Sequence, residues 1–154
     1  MSEDEKLVKI VLEIYPDEED DEDEGTIETP WATDLGEGLY RLENLPFYAY
    51  GIAFHDILEC ELIEGRLFAE GIHQHSGHSL FRIMLSEGFD FEALKQAWPP
   101  FETLGCSFEG ATKEFYCIDV PPKVDLAKVV QLLKAGERAG SWEYEEGFLF
   151  DPTA

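Results

Sequence analysis

The chain has 154 residues, of which 44% are hydrophobic and 13% aromatic, enough to bury a sizeable core in one domain or two very small ones. Its 34 acidic and 11 basic side chains leave a net charge of −23, a surface that repels phosphate backbones and anionic headgroups and so disfavours direct nucleic-acid or membrane binding. The excess is not confined to one place: residues 1–28 carry 13 acids and 2 bases (−11), and residues 29–154 carry 21 and 9 (−12).

The opening Met1–Lys6 lacks the basic and apolar regions of a secretory signal, and no apolar stretch approaches the roughly 18 residues of a membrane span. Three cysteines (Cys60, Cys106, Cys117), odd in number and without C-x-x-C spacing, read as small buried hydrophobes of a reducing compartment. These features predict a cytoplasmic protein.

Lys6–Tyr15 is β-branched and partly alternating, which predicts a strand stopped by Pro16. Eight consecutive carboxylates follow: Asp17, Glu18, Glu19, Asp20, Asp21, Glu22, Asp23 and Glu24. Self-repulsion and the absence of apolar side chains predict a disordered, solvated loop. It is not a calcium loop, because placing Gly25 at the sixth position puts Trp31 where a bidentate Glu is required.

Thr26–Thr33 and Leu39–Leu42 flank the turn Gly36-Glu37-Gly38 and predict a hairpin. An aromatic-rich run, Phe47–Phe54, comes next; its aromatics Phe47, Tyr48, Tyr50 and Phe54 read as core, since they have no basic neighbours to make them a nucleobase-stacking platform. Asp56–Ile63 and Arg66–Ile72 around Glu64-Gly65 predict a second hairpin. Five short strands of this kind imply a small curled antiparallel sheet or barrel.

The rhythm then changes. Ser79–Leu85 reads as a strand, and Asp90 caps a short helix with Phe91, Leu94 and Trp98 on one face, closed by Pro99-Pro100. Strands are expected at Thr103–Phe108 and Glu114–Val120. Asp125 caps a helix that Gly136 or Gly140 ends, and Trp142–Glu145 is a last strand. The expected fold class is α+β: a small antiparallel β-barrel-like N-terminal half, then a ferredoxin-like β-α-β-β-α-β half. The boundaries fall at residues 1–28 (strand and acidic loop), 29–78 (small sheet) and 79–150 (sandwich), together one compact unit.

Chemistry-bearing residues are few. His73, His75 and His78 lie in H-Q-H-S-G-H, with His55 upstream. On a strand His73 and His75 share a face, and a turn at Gly77 swings His78 towards them. Three imidazoles so placed hold zinc with a fourth position open for water. Against this, the helical H-E-x-x-H context is missing, and polar residues at a strand end commonly just hydrogen-bond a loop. Ser76 beside His78 lacks the G-x-S-x-G elbow of a serine nucleophile, and no cysteine sits in a basic cluster that would activate it. Phosphate-loop and dinucleotide signatures are absent.

Several segments agree in order with one family: W-A-T-D-L-G-E-G-L-Y-R-L-E-N-L-P-F-Y-A-Y-G-I-A-F-H-D-I-L, then H-S-G-H-S-L-F-R, L-G-C-S-F-E-G-A, D-V-P-P and W-E-Y-E-E-G. Over about residues 29–147 the chain resembles an uncharacterised bacterial domain-of-unknown-function family (DUF4265). The resemblance implies no activity and transfers no catalytic residues, and the acidic run lies outside it.

Two functional readings follow. The first is a non-enzymatic acidic binding protein (an inhibitor, immunity-type protein or regulator) that engages a basic protein partner, with Asp17–Glu24 as a contact and no cofactor. The second is a metal-dependent hydrolase or small-ligand sensor built on His73, His75 and His78, with zinc as the metal.

Overall fold

The β-branched run at the head of the chain forms β1 (Lys6–Ile14), the strand on which the N-terminal sheet closes. The computed structural model describes residues 6–14 and 26–152, and the acidic run Asp17–Glu24 lies outside the described residues. After β1 come β2 (Thr26–Glu28), β3 (Trp31–Gly36), β4 (Leu39–Leu42), β5 (Ile57–Ile63) and β6 (Arg66–Gln74). Consecutive strands from β3 to β6 pair antiparallel. β1 lies antiparallel to β3 along Lys6–Lys9 and parallel to β6 at Ile10 and Val11, which completes a five-stranded barrel. β2 adds an antiparallel flap on Leu12–Ile14. Ile10, Leu12, Ala32, Tyr40, Leu42 and Leu58 fill the interior, one side chain in two along each strand.

One expectation is corrected here: the closing ladder is parallel, so the barrel is not purely antiparallel. The expected strand Lys6–Tyr15 is present as β1, and the aromatic-rich run Phe47–Phe54 is irregular. The cause is a competing set of acceptors. The Glu28 carboxylate receives the backbone N–H groups of Phe47, Tyr48 (3.2 Å) and Ala49 (3.3 Å), and Asp56 receives that of Ala53 (2.9 Å). Donors that a sheet ladder would use are thus satisfied by side chains, and the segment stays irregular.

The residues from Gly77 onward form a second compact unit, the division falling between Ser76 and Gly77. Its elements are β7 (Ser79–Leu85), α1 (Phe91–Ala97), α2 (Pro99–Leu104), β8 (Ser107–Gly110), β9 (Phe115–Val120), α3 (Leu126–Arg138) and β10 (Trp142–Phe148). The sheet order is β10-β7-β9-β8, antiparallel throughout. Phe81, Ile83 and Leu85 of β7 alternate onto the face that meets Leu94, Phe101, Val129 and Leu133 of the helices. Trp98 stacks on Phe101 at 4.9 Å between ring centroids and meets Phe108 edge-on at 4.6 Å.

Both predicted caps are present: Asp90 accepts the Ala93 N–H at 2.9 Å, and Asp125 accepts that of Ala127 at 3.1 Å. Pro99-Pro100 does end α1, but it also begins α2, because the first positions of a helix need no N–H. Thr103 is therefore helical, and the expected strand at Thr103–Phe108 begins only at Ser107. The last strand runs on to Phe148 rather than Glu145.

Candidate functional site

Every histidine of the chain meets a carboxylate, and each meets a different one. His75, just past the end of β6, turns Nδ1 to Asp56 Oδ2 at 2.9 Å. Asp56 is fully buried and also accepts the N–H groups of Ala53 and Ser76, the latter at 2.8 Å. A buried carboxylate that receives two backbone N–H groups orients the imidazole that faces it. The Ser76 hydroxyl donates to the Phe54 carbonyl at 2.6 Å, so the candidate nucleophile gives its hydrogen to backbone rather than to a histidine base.

Glu43 is a second hub. It accepts from the Thr33 hydroxyl, from Arg41 Nε at 3.1 Å and from His55 Nε2 at 2.8 Å. Burial by itself would raise this carboxyl. The hydrogen bonds from Thr33 and Arg41, with the charges of Arg41 and His55, outweigh it and hold the group below the usual carboxylate range. His55 sits at φ 67° and lies flat on Phe54 at 4.0 Å, a left-handed position that its hydrogen bonds and the ring stack stabilise.

In the second unit His78 Nδ1 meets Asp119 Oδ1 at 2.8 Å, both largely buried. His73, exposed on β6, stands 3.6 Å from Glu59. The three histidines singled out by spacing therefore have three separate carboxylate partners: Glu59, Asp56 and Asp119. Among the described residues no group of three or more His, Cys, Asp or Glu is placed to hold a metal ion. Asp56, Asp119 and Glu43 escaped the sequence reading because the chain is so acidic throughout. The signal for Asp119 was present: one acid inside the apolar run Tyr116–Val120 must be buried and partnered.

The thiols behave as expected of small hydrophobes. Cys106 and Cys117 are buried, and burial pushes Cys60 and Cys106 up to about 11, with Glu70 and Asp119 adding to the respective shifts. None of the four aromatics expected in the core is fully buried: Phe47 and Phe54 are half-buried, and Tyr48 and Tyr50 are 49% and 63% exposed, while Ala49, Ile52 and Ala53 between them face inward. Leu62 at the tip of the β5–β6 hairpin is 67% exposed. Glu13 and Glu70 stand beside Tyr50, and Glu61 beside Glu70, all exposed. A hollow of about 400 Å³ opens on this surface between β1, the 49–52 segment and β6. Such a surface offers apolar area and negative charge together.

A crystal structure of a hypothetical protein from Neisseria gonorrhoeae is similar in fold. The TM-score is 0.75 at 22% identity, with 94% of this chain and 98% of that one covered. No curated protein matches the chain. Residues 28–144, which contain every histidine–carboxylate pair described above, match the family model described as a domain of unknown function, DUF4265, and the chain belongs to that family.

Proposed function

We propose that this protein is a non-enzymatic acidic binding protein, of inhibitor, immunity or regulatory type, that engages a basic protein partner. The observation that carries the reading is the pairing of a −23 net charge with exposed tyrosines and aliphatic residues set among barrel carboxylates. Charge of this size accelerates encounter with a cationic surface, and the apolar residues supply the desolvated contact that charge alone does not. Asp17–Glu24 extends the negative field and makes the first, salt-sensitive contact. The partner is a protein, not nucleic acid or an anionic membrane, and the setting is the cytoplasm. No helix among the described residues is long and apolar enough to cross a membrane.

In the same reading the second unit is a ferredoxin-like sandwich. Its support is the succession β7, α1 and α2, β8, β9, α3, β10 with β7 and β9 central in the sheet.

The test is affinity capture from the native host's lysate at low and physiological salt. Wild type is compared with a chain whose Asp17–Glu24 carboxylates are replaced by Asn and Gln. A protein of high isoelectric point, retained by wild type, released by salt and weakened by neutralising the run, is the expected result. Capture that ignores both salt and the neutralised run would overturn the electrostatic reading.

A further inference from the structure

The ladder that closes the barrel consists of two pairs, Ile10 with Leu67 and Val11 with Phe68. Beyond them β1 turns its pairing to β2 through Leu12, Glu13 and Ile14, while β6 continues alongside β5 through Ala69 and Gly71 to Ile72. The seam between β1 and β6 opens at that point into the hollow of about 400 Å³. Buried Leu12, Ile52 and Leu58 form its floor, and exposed Glu13, Tyr50 and Glu70 stand at its rim.

We propose that this hollow seats one basic side chain of the protein partner, an arginine or lysine, with its alkyl stem on the apolar floor and its charged head between Glu13 and Glu70. The inference rests on the binding-protein reading and names where on the described surface the partner is gripped.

The chemistry of the lining selects the occupant. A long side chain with a methylene stem and a cationic head matches an apolar floor under an acidic rim, and the Tyr50 ring adds a face over which a cation is attracted. Glu70 is held above the usual carboxylate range by its hydrogen bond with Glu61, then by burial and by the charges of Glu61 and Glu13. Carboxylates crowded in this way repel one another, and an incoming cation relieves that repulsion. An anion would worsen it. A second copy of the chain brings another −23 charges to the same face and is repelled at long range.

The experiment uses the full chain, isotopically labelled, titrated at physiological salt with an oligoarginine peptide and with its neutral citrulline analogue. Amide shifts locate the contact and give the affinity. The same titrations are made in a background whose Asp17–Glu24 run carries Asn and Gln, so that binding at the run does not mask the hollow. The expected result is that oligoarginine, and not the citrulline analogue, perturbs Glu13, Tyr50, Glu70 and Ile72 most. The pair Glu13→Gln and Glu70→Gln should weaken binding on the order of tenfold, and Tyr50→Ala should weaken it without altering the fold. Removing two charges elsewhere, by Glu102→Gln and Glu137→Gln, should leave affinity within about twofold. If oligoarginine binds but both charge pairs weaken it equally, the hollow is not the seat and the binding-protein reading survives. If arginine and citrulline peptides bind alike, or neither binds, the reading and the site fall together.

Discussion

Asp56 shows how much one residue can organise. Its carboxylate gathers Ala53 N–H, Ser76 N–H and His75 Nδ1, and so ties the end of β6 to the segment entering β5. Truncation would leave two buried backbone donors and an imidazole without their acceptor. Asp56→Ala should therefore cost about 3 kcal/mol in urea denaturation, and Asp56→Asn, which keeps one acceptor oxygen, should cost less. Glu43 makes a different prediction, one about pH. Its carboxyl titrates lower in the folded protein than in the unfolded chain, so its contribution is fully present above the ordinary glutamate value of 4.5. That contribution is lost as pH falls through the lower folded value. Glu43→Gln should flatten the acid limb of the stability profile below about pH 4.5, measured by thermal melts from pH 3 to 7. Neither residue was singled out by sequence, because in a chain with 34 acids no single one stands apart.

The helices of the second unit were legible as elements because their signals are local. Asp90 and Asp125 cap where the spacing of apolar residues begins, and Gly140, at φ 80°, lies just past the end of α3. Gly136 behaves otherwise. It lies inside α3 rather than at its end, against the Trp142 indole, whose Nε1 donates to the Leu133 carbonyl at 3.0 Å. A Cβ at position 136 would come within 2.1 Å of that ring. In an open helix, glycine to alanine gains about 1 kcal/mol; here Gly136→Ala should instead lose about 1–3 kcal/mol, because the indole must leave both its packing and its hydrogen bond. Chemical denaturation with tryptophan fluorescence reads both effects at once. Strand signals were less dependable. The strand expected at Thr103–Phe108 begins only at Ser107, because Pro99-Pro100 opens a helix that runs on to Leu104.

At the scale of the molecule the dominant quantity is charge. With −23 on 154 residues, self-repulsion opposes the compact state, and added salt screens it. Raising sodium chloride from about 20 to 500 mM should stabilise the protein by about 1–2 kcal/mol, on the order of 5 °C in melting temperature, whereas the same salt should weaken capture of a basic partner. Opposite responses to one variable separate folding from binding.

Length, charge, cap residues, hairpin turns and the family were determined by the sequence alone, because each depends on residues adjacent in the chain or on a sum over all of them. The turn at Glu64-Gly65 is such a case, with φ of 50° and 83° at its two residues. Three things only the tertiary structure decided. One is that β1 closes the barrel against β6 in parallel, a pairing between strands far apart in the chain. Another is that His73, His75 and His78, so close in sequence, are dealt to three different carboxylates. The last is that the β1–β6 seam opens into an acidic hollow. All three depend on which distant side chain or strand first satisfies a hydrogen-bonding group, and local sequence carries no record of that choice.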